Sequence, residues 1–394
     1  MAFAAYAVVL TAIFLLNIHL GSAISSPTAL ANDLVSPADS PQDWNLNTSI
    51  RPFKYRVLFK TVVKGIWATL PIAHDGNTFY WTYVTLSFAF FWGAAVAFHV
   101  FLAILGFARW ERVLGVLIFL LSAPVLLAYY VVVNTREDPL AYLLVLLSLI
   151  ALVQDRPVAM CCLSILGAWT RETTLIVPLL YLVYAREAWP RRILLFALPV
   201  AAHVALRIYA GFGLNTVKGI ARNLAYPVEA ALFLFIAFGA FWFAAWLGYS
   251  RASPTADGPA LGWLRRSAVL AVGLIVLTSV TMAKLRENRV VFMAFPWIVP
   301  LALTAIRRMR DPARRPGHAG WIRVWVLGAV MVAGLSFAGF RALPGSWNAQ
   351  VDQFALAPFE VFASLHLGLS VVLFGLCAEP RTKPLRGSTS PRIR

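Results

Sequence analysis

Charge is scarce in this chain. Asp, Glu, Lys and Arg make up 13% of its 394 residues, against about 25% in soluble domains, and no soluble domain is expected. Cysteine is scarcer still, at three residues. Cys161 and Cys162 are adjacent inside an apolar run, and Cys377 ends the last such run. That spacing carries no disulfide framework and no zinc site. The six histidines are scattered, with no pair at ligand spacing, so no structural metal is expected. P-loop, GxGxxG, DxD, HExxH and nucleophile-elbow patterns are absent, which leaves a soluble nucleotide-sugar or ATP site without support. Short alternating segments are absent too, which argues against a transmembrane barrel. No repeat or low-complexity linker interrupts the sequence.

What is present is apolar length. Hydrophobic residues make up 60% of the chain, in runs over 2–22, 79–108, 113–134, 139–154, 157–185, 193–210, 225–249, 267–283, 290–306, 321–340 and 358–377. These runs predict an all-α polytopic membrane protein, a single transmembrane domain over 1–394 with about 11–12 spans. The net charge of +17 points to cytoplasmic loops rather than to nucleic acid, because basic residues set orientation. "RRMRDPARR" (307–315) and the tail 378–394 fit that role.

The run 157–185 reads in two ways. As one helix it is roughly 43 Å long at 1.5 Å per residue, well beyond a hydrocarbon core of roughly 30 Å. Broken at Arg171-Glu172 it becomes two short arms. The broken version places the loops 23–78, 135–138, 170–174, 211–224, 284–289 and 341–357 on one outer face. The distribution of Lys and Arg does not separate the two readings. The first run reads as an uncleaved span, since it lacks a basic leader. As a cleaved signal it would still leave 23–78 outside.

The polar interruptions are the candidates for chemistry. In "SIRPFKYRVLFKTVVKGIW" (49–67), Arg56, Lys60 and Lys64 fall at i, i+4, i+8 and form one basic stripe. With Val57, Leu58, Val62, Ile66 and Trp67 they predict an amphipathic interfacial helix near 55–70. Arg51, Lys54 and Arg56 lie at its start. Snorkelling to lipid phosphates and binding of a lipid-linked phosphate explain the stripe equally well. The preceding loop carries Asp33, Asp39 and Asp43. A carboxylate beside a basic phosphate site is the pair that group transfer needs, the base taking the acceptor proton and the cations steadying the leaving group. In "NTREDPLAYLL" (134–144), Glu137 and Asp138 precede Pro139 at a helix start, where acids also suit the helix dipole. In "AWTRETTLIVP" (168–178), Arg171 and Glu172 interrupt an apolar run, at about 2.5–3.5 kcal/mol for a charge at mid-bilayer. "KLRENRVVFMAFPWIVP" (284–300) sets Lys284, Arg286, Glu287 and Arg289 on the outer face, against the usual charge bias. A phosphate ligand explains such a cluster, as does snorkelling at a helix end. Arg207, Lys218 and Arg222 are weaker candidates.

Four of these stretches together resemble the GT-C superfamily of integral-membrane glycosyltransferases, in its mannosyltransferase-like, largely uncharacterised bacterial branch. They are "PF-x-YRVL" at 52–58, "EDPL" at 137–140, "GAWTRETT" at 167–174, and "E-x-R" at 287–289 ahead of Pro296. The resemblance covers about 1–310. It implies a GT-C-like bundle in the bacterial inner membrane, with the active site on the non-cytoplasmic side. It implies a polyprenyl-phosphate sugar donor and transfer to a hydroxyl on a lipid, glycan or protein; no nucleotide and no cofactor are expected, with metal dependence left open. The catalytic base then falls on Asp39 or Asp43. Arg51, Arg56, Lys60, Arg286 and Arg289 hold the donor phosphate, and Glu137, Asp138, Arg171, Glu172 and Glu287 shape the site. Such families carry a soluble domain after the spans. This sequence shows none, so the acceptor-recognition part is expected either to be missing or to lie in a protein partner. A transporter or lipid-carrier translocase, and a non-catalytic envelope-complex scaffold, are the rival classes.

Overall fold

The computed structural model describes residues 2–22, 57–72, 74–126, 138–209, 217–250, 258–283, 285, 289–309, 366–368 and 370. The expectations for Asp39, Asp43, Arg51, Arg56, Glu137, Arg286 and Glu287, for the run 321–340 and for the basic tail lie outside these residues.

Every regular element among the described residues is helical. In chain order they are α1 (Ala2–Ser22), α2 (Val57–Thr69), α3 (Gly76–Ile104), α4 (Arg109–Leu120), α5 (Asp138–Val153), α6 (Pro157–Thr170), α7 (Ile176–Tyr184), α8 (Trp189–Tyr209), α9 (Val217–Ala225), α10 (Pro227–Ile236), α11 (Phe241–Ser250), α12 (Pro259–Met282) and α13 (Phe295–Met309), with shorter turns between. Among the described residues, α3, α8 and α12 are long and apolar enough to cross a membrane. The pair α10–α11, bent by 68°, passes the same test as a unit. Exposed Ile193, Leu194, Leu198, Val204, Val269 and Leu277 on α8 and α12 form apolar surface that water would disfavour and lipid accepts. Exposed aromatics mark both ends, with Trp110, Trp189 and Tyr249 at one and Trp81, Tyr209 and Tyr226 at the other, as at membrane interfaces.

Aromatic packing fills the centre. Phe119 of α4 lies 4.7 Å from Phe295, 5.8 Å from Phe292 and 6.0 Å from Tyr142 between ring centroids. Pairs at these separations contribute roughly 0.5–1.5 kcal/mol beyond their burial. Gly248 lets α11 lie directly on α13, since a Cβ there would stand 1.9 Å from the Leu301 carbonyl oxygen. Small residues permit this backbone approach in membrane bundles.

α2 matches the predicted amphipathic helix. Its row Phe59 and Val63 is buried against Phe79, Tyr83, Val84, Leu140 and Leu144, with Trp67 packed alongside. Protein therefore covers part of the face expected to meet lipid, while Ile66, Leu70 and Ile72 stay exposed. α3 begins with a capping box: the Thr78 N–H donates to Asp75 Oδ1 at 2.8 Å and the Asp75 N–H to Thr78 Oγ1 at 3.3 Å. The bond from the Thr78 N–H, with the Thr78 side chain beside it, holds the Asp75 carboxyl below the usual carboxylate range.

The run 157–185 is broken. α6 ends at Thr170, Arg171 is extended (φ −160, ψ 133), and a 3-10 turn Glu172–Leu175 leads into α7. Polar contacts show where the arms go. Arg171 pairs with Asp138 at the start of α5, whereas α6 begins beside the far end of α5, across a turn at Asp155. The Tyr184 hydroxyl at the end of α7 donates to the Arg266 carbonyl near the start of α12 at 3.0 Å. The chain thus turns at Arg171 and returns. At the same far end, Arg307 of α13 forks onto Glu111 of α4, at 2.6 Å from Nε and 2.5 Å from Nη2.

The turn fixes the side of each loop. In a background with Cys161, Cys162 and Cys377 replaced, Gln154→Cys and Arg186→Cys are expected to react with a membrane-impermeant thiol reagent from one side of the bilayer, and His74→Cys from the other. Reaction of positions 154 and 186 from opposite sides would restore the single uninterrupted span.

Candidate functional site

A carboxylate at a helix start, a charge at a helix break and a charge ahead of a proline-containing helix are three separate costs in a membrane segment. The structure meets them together. Asp138 is 1% exposed, Arg171 1% and Arg289 4%. Arg171 Nη1 pairs with Asp138 Oδ1, and Arg289 Nη1 donates to Asp138 Oδ2 at 3.3 Å. Each carboxylate oxygen thus takes one guanidinium. Burying these charges singly would be prohibitive, and their pairing repays much of that desolvation.

Backbone geometry presents each member. Asp138 lies in the first turn of α5, where the helix dipole favours an anion. Arg171 projects from the extended residue at the break, with its carbonyl oxygen accepting from Thr174 N–H and Oγ1 at 3.1 and 2.7 Å. The break leaves helix-end carbonyls to be satisfied. His203 Nδ1 lies 3.2 Å from the Ala168 oxygen, and Arg207 Nε donates to His203 Nε2 at 2.9 Å. With Nε2 accepting, Nδ1 carries the proton toward Ala168. In return Trp169 Nε1 donates to the Ala202 oxygen at 3.4 Å. α8 thus clamps the turn from behind.

Asn223 does the equivalent for Arg289. Its Nδ2 donates to the Val280 and Ala283 oxygens at 2.8 and 2.9 Å, and its Oδ1 accepts from the Leu285 N–H at 3.1 Å. It closes the end of α12 and directs the segment that carries Arg289.

Of the sequence-predicted residues, Asp138, Arg171 and Arg289 come together. Glu172 is half-buried in the 3-10 turn that follows Arg171. Lys60 lies on α2, whose buried row touches Leu140 and Leu144 of α5, so its helix flanks the cluster. Sequence reasoning passed over Asn223 and His203 and ranked Arg207 low. The i, i+4 spacing of His203 and Arg207 on an apolar helix was the available signal. Among the described residues, no three His, Cys, Asp or Glu side chains form a donor set for a metal.

The five donors of a guanidinium can serve a carboxylate and a phosphate at once. Two guanidiniums are thus oriented by one aspartate at the end of the helical bundle. The chain matches no protein-family model, no curated protein and no solved structure.

Removing one partner of a buried ion pair typically costs about 3–5 kcal/mol. Asp138→Asn and Arg171→Met are each expected to lower unfolding free energy by that order, and the double variant Asp138→Asn/Arg171→Met by clearly less than their sum. Additive losses in detergent unfolding would show that the pair is not coupled.

Proposed function

We propose that the chain is a GT-C-type membrane glycosyltransferase that moves a monosaccharide from a polyprenyl phosphate to a hydroxyl acceptor on the non-cytoplasmic face. The observation that carries this reading is the buried cluster of Asp138, Arg171 and Arg289. It unites three of the four stretches on which the family resemblance rests, and α2, which begins at the end of the fourth, packs on Leu140 and Leu144 of α5.

In this reading Arg289, with Arg51, Arg56, Lys60 and Arg286, holds the donor phosphate. Asp138 and Arg171 fix the position of Arg289, and Glu137, Glu172 and Glu287 complete the wall. The acceptor oxygen attacks the anomeric carbon as the bond from that carbon to the phosphate oxygen breaks. The electron pair leaves on the carrier phosphate, and the acceptor proton passes to Asp43 or Asp39. The anomeric centre inverts. The protein supplies orientation and leaving-group stabilisation. A protein partner supplies acceptor recognition. The turn at Arg171 and the 68° bend between α10 and α11 also suit a lipid-carrier translocase, in which broken helices line the path.

Wild type in nanodiscs, given a panel of radiolabelled polyprenyl-phosphate sugars and an envelope extract as acceptor, is expected to transfer label. Arg289→Ala should lower turnover by about 10²–10³-fold, the order seen when one group that stabilises developing charge is lost. One of Asp43→Asn and Asp39→Asn should abolish transfer. Passage of intact labelled lipid across the bilayer without transfer would put the translocase in its place.

A further inference from the structure

A second feature lies deeper in the bundle. A cavity of about 280 Å³ opens at the bend between α10 and α11, lined by Leu114, Leu121, Ala237, Phe238, Phe292 and His366 among others. Gly239, with φ +53, forms the bend, and a Cβ there would strike the His366 ring. The Ala240 N–H exposed by the bend donates to His366 Nδ1 at 3.1 Å. The Ser122 hydroxyl at the rim donates to the Phe119 oxygen at 2.6 Å.

The lining decides what the cavity can hold. A buried water requires two to four polar partners. Among the described lining residues, Ser122 donates to the Phe119 oxygen, His366 accepts at Nδ1 from the Ala240 N–H, and the other side chains are aliphatic or aromatic. Depth decides what is at hand. α10 and α11 are long and apolar enough for a span only as a pair, so in a membrane their junction falls toward the middle of that span. Leu121, half exposed, stands at the rim and leaves the cavity open to the outside of the bundle. Phe292 lies one helical turn beyond Arg289 in the same short helix, so the cavity wall and the cationic cluster share an element.

We infer that this cavity is a binding subsite for a single hydrocarbon chain of an anionic lipid, entering past Leu121 and ending against Ala237, with the headgroup toward Arg289. The inference requires the chain to lie in a membrane but does not require sugar transfer. Polyprenyl phosphate and an acidic phospholipid share the necessary chemistry.

The full-length protein in nanodiscs would be irradiated with two diazirine probes, one carried on an acyl chain of phosphatidylglycerol and one on polyprenyl phosphate, and the labelled peptides mapped by mass spectrometry. The expected result is label concentrated in 114–122 and 236–241. It should be competed by unlabelled polyprenyl phosphate if the carrier is the occupant, and by phosphatidylglycerol alone if the bilayer supplies it. Ala237→Phe fills the cavity and should lower that label by about tenfold or more, since each methylene excluded is worth roughly fourfold in affinity. Where Ala237→Phe fails to fold, Ser122→Phe at the rim should produce the same loss. Label spread over the lipid-facing surfaces of α8 and α12, or unchanged in a folded variant, overturns the subsite. Cavity labelling without sugar transfer would leave the subsite standing and remove the transferase.

Discussion

A carboxylate shared by two guanidiniums organises one end of this molecule. Asp138 comes from a helix start, Arg171 from a helix break and Arg289 from a turn 151 residues further along than Asp138. None of the three has a low-energy place in hydrocarbon alone. Together they fix the register of α5 against the turn between α6 and α7 and against the entry to α13. The adjoining interactions serve that junction. His203 meets the Ala168 carbonyl freed by the break while Arg207 donates to the other ring nitrogen of His203, and Asn223 closes the end of α12 so that Arg289 arrives at its partner.

The opposite end is held differently. Glu111 caps the entry to α4 by accepting from the Ala108 N–H at 2.7 Å and receives the Arg307 fork. Arg307 also lies 4.9 Å over the Phe107 ring. Glu111 is buried while Arg307 is substantially exposed, so this pair meets solvent on one side and is screened. The two ends thus differ in kind. One is a buried junction of three chain segments, and the other is a surface clasp between two helices. The buried junction is where an anion would meet desolvated, oriented guanidiniums, and electrostatic stabilisation is strongest there.

Much of this end was legible in the sequence because charges in apolar runs are costly and therefore informative. Asp138, Arg171 and Arg289 each stood out for that reason, and the broken reading of 157–185 placed them on one face. The pairing itself was not legible, since adjacency in space leaves no trace in spacing along the chain. Asn223 and His203 were missed because uncharged polar residues cost less in a helix and their partners are backbone atoms, which no side-chain pattern reveals. The bend at Gly239 was read as part of one uninterrupted run over 225–249. Glycine is common in membrane helices, and the φ of +53 together with the ring of His366, from a distant segment, shows why this one is required. The acids of the first outer loop rest on sequence alone.

The central proposal is that Arg289, held in place by Asp138 and Arg171, binds the phosphate of a lipid carrier. The most direct measurement compares binding of undecaprenyl phosphate and of undecaprenol, the same chain without its phosphate, to wild type and to Arg289→Gln in nanodiscs. The account predicts that wild type prefers the phosphate by about tenfold or more, in line with a charge-assisted contact, and that Arg289→Gln loses most of this preference while still binding the alcohol. Equal binding of the two lipids by wild type, or a preference unchanged in Arg289→Gln, would contradict it.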